Sequence, residues 1–331
     1  MADAYTTTAS VDYVQTAYDM LAYPPLRAEL YFDQVADVKP TKQAMPGLVV
    51  TFTIQADLAV ASSPLNESVD VSAVAISDNQ LSVTLAEYGN SVITTSKLRA
   101  GSYVDIDEVV ANVIGYNGGV SIDSVSRNVL AAGNNVNYSA GTTGITPTAR
   151  NQLTVNDTLR AFDVRVAAAT LRTQNVPTVG GAYWAFIHPL AAFDLRSETG
   201  QGSWRQPHEY SQPDQIWQGE IGQFEGVRFI ETPRAPEFTA AGSSNSTGHF
   251  DVFATLFGGR QAFAKAFSIV DGNGPDPHIV PGPVVDKLRR FVPISWYQIV
   301  GYSVFRQPAL LRVESSSSID GLVTPPSIDI N

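Results

Sequence analysis

Residues 102–133 read SYVDIDEVVANVIGYNGGVSIDSVSRNVLAAG, and this stretch decides the fold class. Ile106, Val109, Val110, Val113 and Ile114 fall at i, i+3, i+4, i+7 and i+8, the apolar stripe of an amphipathic helix. Asp105 followed by Glu108 forms a capping-box pattern with Asp in place of Ser or Thr. Gly115, Gly118 and Gly119 interrupt the stripe. It resumes at Ile122, Val125 and Val129, and Gly133 supplies a C-terminal cap. The expectation is one long helix with a kink, or two helices in series.

Upstream, residues 48–95 change to a period of two. Val50, Phe52 and Ile54 alternate with Thr51 and Thr53, and Leu81, Val83 and Leu85 alternate with Ser82 and Thr84, the pattern of half-buried strands. Val69, Val71 and Ala73 suggest a further extended piece. Residues 59–68, small and carrying Pro64, read as the tip of a long β-excursion. An isolated hairpin is only marginally stable in water, so this one pairs within its domain or lies on a neighbouring subunit. Residues 1–47 hold Tyr13, Tyr18, Tyr23 and Tyr31 among small residues. Pro24, Pro25, Pro40 and Pro46 interrupt any long helix there, leaving room for a short one over Asp12 to Ala22. With few large aliphatics of its own, this segment reads as an arm that needs another surface to lie on.

Downstream, residues 134–153 form a polar connection. A further amphipathic helix is expected with Val155, Leu159, Phe162, Val166 and Ala169 on its inner face, Asn156 as N-cap and Pro177 closing the segment. Strands are expected over Ala182 to Ile187, Val227 to Glu231, Phe250 to Phe257, Trp296 to Phe305 and Leu310 to Val313. Short helices are expected from Pro189 and over Gln261 to Phe267, with long polar loops at 198–220, 234–248 and 271–283. Ser315–Ser318 and Pro325–Pro326 mark a loose tail.

Composition removes several functions. The 331 residues carry 16 % charged side chains, below the ~25 % usual for globular chains. A net charge of −11 argues against a protein that grips nucleic acid through phosphate neutralisation. There is no cysteine, which excludes disulfides, thiolate-bound zinc and thiol catalysis. The N-terminus lacks the basic and apolar regions of a signal peptide, and no apolar run reaches ~18 residues, so neither secretion nor a membrane is expected.

Catalytic patterns are also missing. His188, His208, His249 and His278 do not sit at His-Glu-x-x-His spacing. There is no nucleophile elbow and no Gly-Lys-Ser/Thr phosphate loop. His188, before Pro189 at a strand end, reads as a structural histidine. His208–Glu209 has no nucleophile nearby, and Gly258–Gly259 reads as a tight turn. Asp271, Asp276 and Asp286 read as a solvated loop, since they match no calcium-binding spacing. Asp105 and Asp107 suit a helix N-terminus through the helix dipole. No catalytic, cofactor-binding or metal site is expected.

The order of features then matters more than any motif. Leu26-Arg27-Ala28-Glu29-Leu30-Tyr31-Phe32-Asp33, Ala36-Asp37-Val38-Lys39-Pro40 and Met45-Pro46-Gly47 precede a strand. Glu87-Tyr88-Gly89, Ile187-His188-Pro189, Gly219-Glu220-Ile221-Gly222 and Gly226-Val227-Arg228-Phe229-Ile230-Glu231-Thr232 follow. In this order the strings resemble the major capsid proteins of tailed bacteriophages, in particular the coliphage N-four-like family. The resemblance implies an α+β Hong Kong 97-type capsid fold. Residues 1–47 would be an N-terminal arm, 48–95 the extended β-loop, and 96–178 the peripheral domain with its long spine helix. Residues 179–290 would be the axial domain, and 291–331 the return strands of the peripheral domain with a C-terminal tail.

The implied function is self-assembly into pentamers and hexamers of an icosahedral shell, without enzymatic activity. The expected partners are further copies of the chain, a separate scaffolding protein, a portal and, where present, decoration proteins. Double-stranded DNA would be enclosed without sequence-specific binding, with assembly in the host cytoplasm and the virion capsid as final location. No lysine occurs between Lys42 and Lys97, which removes the extended-loop lysine that the name-giving phage uses for isopeptide cross-links. Arg27, Glu29, Glu67 and Asp70 are candidate inter-subunit charge partners, the alternative being ordinary solvated charges. Other readings are an encapsulin-type compartment shell, a tail structural protein, and a β-rich enzyme whose catalytic side chains converge only in space.

Overall fold

The computed structural model describes residues 30–41 and 48–320, apart from 63, 66, 69, 72, 103–104, 143, 145, 199–219, 246–247, 270–273, 284–285 and 289. In chain order, β1 (Asp37–Thr41) precedes β2 (Val49–Gln55), β3 (Asp78–Thr84) and β4 (Ala86–Thr95). Two helices follow, α1 (Ser96–Gly101) and α2 (Ile106–Ala131). Then come β5 (Val136–Tyr138), α3 (Ala161–Thr173), β6 (Tyr183–Ile187), α4 (Pro189–Ser197), β7 (Glu220–Phe224) and β8 (Val227–Glu231). Short β9 (Glu237–Phe238), β10 (Ser244–Asn245) and β11 (Gly248–His249) lead to β12 (Val252–Gly258) and β13 (Phe263–Ser268). The last strands are β14 (His278–Pro281), β15 (Phe291–Val304) and β16 (Leu310–Ser315).

Two sheets organise these elements. A five-stranded sheet has the order β1-β13-β15-β14, with β4 also paired along β15. A seven-stranded mixed sheet has the order β5-β16-β12-β6-β8-β7, with β9 on β12. Sheet membership cuts across the boundaries expected at residues 178 and 290. β5 and β16, at 136–138 and 310–315, join β6, β8 and β12. Conversely, β13 and β14, which precede residue 290, pair with β15. The sequence pattern marks where strands are but carries no signal for which strand lies beside which.

Helix α2 is a single helix of 26 residues. Its Asp105 cap accepts a hydrogen bond from Asp107 N at 3.0 Å. The glycines expected to interrupt it are instead where other elements press close. A Cβ on Gly118 would lie 3.1 Å from Cδ2 of Trp296 on β15, and one on Gly119 would lie 2.6 Å from Leu30 Cδ1. The Trp296 ring is fixed in that contact by donating to Asn117 Oδ1 at 2.8 Å. The buried line along α2 runs through Ile114, Gly118, Ile122, Ser126 and Leu130, while Val113, expected on the inner face, is 49 % exposed.

The main core lies around the seven-stranded sheet. Every residue of β6 and of β12 is buried, as in strands covered on both faces. Helix α4 begins as expected at Pro189, with His188 as N-cap. Helix α3 starts at Ala161 rather than near Asn156, and Asp163 Oδ2 accepts from Arg160 N at 3.0 Å to close its first turn. Its buried face is Ala161, Val164, Ala167, Ala168 and Leu171. Of the expected inner face, Leu159 is buried ahead of the helix, whereas Val155, Phe162, Val166 and Ala169 are exposed, Phe162 at 63 %. Val164 and Leu171 fill the core beside three alanines, while Phe162 and Val166 are left outside.

Two further expectations are corrected. Gln261 to Phe267 holds no helix: Gln261 turns the chain with φ +63°, and β13 follows, all six of its residues buried. Lys265 is buried within the strand, where Asp33 pairs with it. Ser315–Ser318 is not a loose tail. Ser315, Ser316 and Ser317 are buried, Ser316 Oγ donates to Thr154 O, and Ser318 binds Asp194 with N–H at 3.0 Å and with its hydroxyl.

Candidate assembly surfaces

The β-excursion divides into a bound base and a free end. β2 and β3 pair antiparallel from Val49–Thr84 to Gln55–Asp78, and Ala56 N–H to Ser77 O extends the ladder at 3.1 Å. At the base, Val50, Phe52, Val83 and Leu85 cluster with Ala264 and Ala266 of β13, and the Phe52 ring meets Phe305 at 5.4 Å. Beyond the ladder the apolar side chains face solvent: Leu58, Val60, Leu65, Val71, Val74 and Ile76 are 55–90 % exposed. Ala73, expected in a strand with Val69 and Val71, lies in no strand.

A second apolar surface lies on α3 and α4, where Phe162, Val166 and Phe193 are exposed. The same helices carry ion pairs: Arg160–Glu198 at 3.1 Å, Arg165–Glu225 at 3.1 Å and Arg196–Glu231 at 3.1 Å.

Where the described chain begins, a buried polar cluster receives it. Asp123 Oδ1 on α2 accepts the N–H groups of Tyr31 at 3.2 Å and Phe32 at 3.1 Å. Its Oδ2 accepts Arg234 Nε at 2.9 Å. Arg234 Nη2 also donates to Ser124 Oγ at 2.6 Å and Val120 O at 3.3 Å. Asp33 pairs with Lys265 of β13 and accepts Tyr302 Oη of β15 at 2.9 Å. Burial pushes the Asp123 carboxyl above its usual range, against the opposing pull of Arg234 and the two N–H donors. Burial foremost, then the neighbouring Arg234, lowers Arg127, which lies one turn further along α2. The sequence signal for this cluster was present but faint: Asp123 and Arg127 are charged at positions flanking the apolar stripe.

Sequence reasoning singled out other residues. Glu67 and Asp70 are exposed on the excursion, and Asp70 Oδ1 accepts only from Val71 N at 2.8 Å among the bonds of the described residues. Arg27 and Glu29 lie outside the described residues. His188 is structural: it is buried, its Nδ1 accepts from Leu190 N at 3.3 Å, and its ring stacks 4.7 Å from Phe253. Burial lowers its pKa to about 4. His249 Nδ1 lies 3.0 Å from Gly242 O, and His278 stands edge-on to Tyr297. His208, Glu209 and Asp271 lie outside the described residues. Among the described residues no group of histidines and carboxylates is placed to hold a metal ion, and no helix is long and apolar enough to cross a membrane.

A family model described as phage capsid protein matches residues 4–309. No curated protein matches the sequence. Among solved structures, the capsid of Ralstonia phage GP4 superposes with a TM-score of 0.70 at 15 % identity, covering 98 % of this chain and 100 % of that one. The capsid of cyanophage Pam1 gives 0.71 at 14 % identity, covering 96 % and 100 %. A chain of Mycobacterium phage Che8 gives 0.60 at 16 % identity, covering 91 % and 97 %. The fold is therefore the α+β Hong Kong 97-type fold that the sequence leads one to expect.

Proposed function

Because this chain belongs to the phage capsid protein family, we propose that copies of it assemble into five- and six-membered rings that close as the icosahedral head of a tailed phage. The protein is structural and not an enzyme, and its place is the capsid of the virion. The observation that carries the reading of how it assembles is the excursion. Its base is packed on its own body, yet its far end holds six large apolar side chains in solvent. Contiguous exposed apolar surface on a soluble chain marks an interaction site, and a neighbouring copy is the occupant that a shell provides.

In this reading residues 1–47 act as the arm and 48–95 as the extended loop. Helix α2 and the five-stranded sheet form the peripheral unit, and the seven-stranded sheet with α3 and α4 forms the axial unit. Glu67 and Asp70 on the loop, and Arg27 and Glu29 on the arm, supply charged contacts between copies. A separate scaffolding protein sets curvature, a portal occupies one vertex, and assembly takes place in the host cytoplasm. A net charge of −11 suits a wall that encloses double-stranded DNA without gripping it. Replacing residues 57–76 with a short Gly–Ser turn tests the reading. The subunit should fold and unfold cooperatively but form no shells; normal shells from this variant would overturn it.

A further inference from the structure

The cluster around Asp123 joins more of the molecule than its size suggests. Asp123 belongs to α2, Arg234 to the turn between β8 and β9 of the seven-stranded sheet, and Lys265 and Tyr302 to the five-stranded sheet. Asp123, Lys265 and Tyr302 bond residues 31–33 directly, and Arg234 joins them through Asp123. Phe32 is fully buried there, with its ring 4.7 Å from Phe186, and Leu30 lies over Gly119 of α2. Four residues after Asp33 the chain enters β1 along β13, where Asp37 Oδ2 accepts Gln261 N at 2.8 Å.

Apolar burial alone would hold Phe32 but is non-directional. A carboxylate oxygen that accepts two successive backbone N–H groups is directional: it sets the orientation of the peptide planes at 31 and 32. The next residue, Asp33, adds a side-chain tie, pairing with Lys265 and accepting from Tyr302 Oη of the five-stranded sheet. We infer that Asp123 and Asp33 form an anchor that ties residues 31–33 to α2 and to both sheets, and that the arm proposed for residues 1–47 needs this anchor to engage a neighbouring copy. This rests on the proposed reading of residues 1–47 as an arm that contacts other copies.

The test uses the full chain and two readouts. Hydrogen exchange of the unassembled subunit reads the anchor directly, and electron microscopy reads the shells. Asp33→Asn and Tyr302→Phe weaken the outer half without emptying the core; Asp123→Asn weakens the inner half while keeping its shape. Amides 31–36 should exchange about tenfold faster in each variant, with amides of β12 unchanged, and shells should be aberrant or absent. Unchanged exchange at 31–36 in Asp33→Asn and Tyr302→Phe would overturn the anchor even if Asp123→Asn fails to fold. Faster exchange with normal shells would overturn the arm's need for it. Deletion of residues 1–29 separates the two ideas: normal shells from the deletion would sink the arm reading itself, whatever the exchange data say of the anchor.

Discussion

Alanine at Gly118 should destabilise the subunit, whereas alanine at Gly115, three residues earlier in the same helix, should stabilise it. Both substitutions relieve the helix of a glycine, worth about 1 kcal/mol in a helix interior. At Gly115 the new methyl group would lie 3.6 Å from Ile279 Cδ1, an ordinary contact, so most of that gain is kept. At Gly118 it would lie 3.1 and 3.2 Å from Trp296 ring atoms and 3.3 Å from Pro277 Cβ. The ring cannot swing aside easily, because it is 3 % exposed and bonded through Nε1 to Asn117. Overpacking of this kind costs about 1–3 kcal/mol, leaving Gly118→Ala a net loss of about 1 kcal/mol after the helix gain. Denaturant unfolding of the unassembled subunit, read by tryptophan fluorescence, measures both. Equal midpoints for the two variants, or a higher midpoint for Gly118→Ala, would refute the packing of β15 against this face of α2.

Other outcomes follow from the same structure. His188 is held neutral with a pKa of about 4, below the ordinary ~6.5 of an unfolded chain. The unfolded state therefore binds the extra proton first, so stability should fall by about 3 kcal/mol as pH drops from 6.5 to 4. His188→Asn keeps an N-cap and should flatten that slope in unfolding curves taken across this range. Glu314, fully buried, is paired with Arg150 at 2.7 Å and Arg312 at 2.8 Å. Glu314→Ala strands Arg312 in the interior and should cost about 3–5 kcal/mol, measured by denaturant unfolding. Phe162→Ser changes a side chain that is 63 % exposed, so subunit stability should move by no more than about 0.5 kcal/mol while light scattering shows slower assembly. With no lysine between Lys42 and Lys97, shells boiled in detergent should run as one band near 35.5 kDa, with no covalent ladder.

Much of this fold was legible where periodicity and burial agree. The α2 stripe, the alternation over β2 and β3, and the buried run of β6 each led to the observed element. Elsewhere the large apolar residues misled. On α3, Phe162 and Val166 read as core because they are large, but the helix buries alanines and leaves those two outside. A surface meant to meet another copy carries the same apolar signature as a core, so a single chain cannot tell the two apart. β13 was hidden for a different reason. A short apolar run interrupted by a lysine fits a helix as well as a strand, and only the distant Asp33 shows why Lys265 is tolerated inside. The anchor at Asp123 was illegible in the same way, since its partners lie about ninety and one hundred and ten positions away in sequence.

Electron microscopy of the purified chain, alone and co-expressed with the scaffolding protein proposed above, tests the central claim most directly. The account predicts closed shells, or rings of five and six subunits, in at least the co-expressed sample. A compact monomer of 35.5 kDa in both samples, at every concentration, would contradict it.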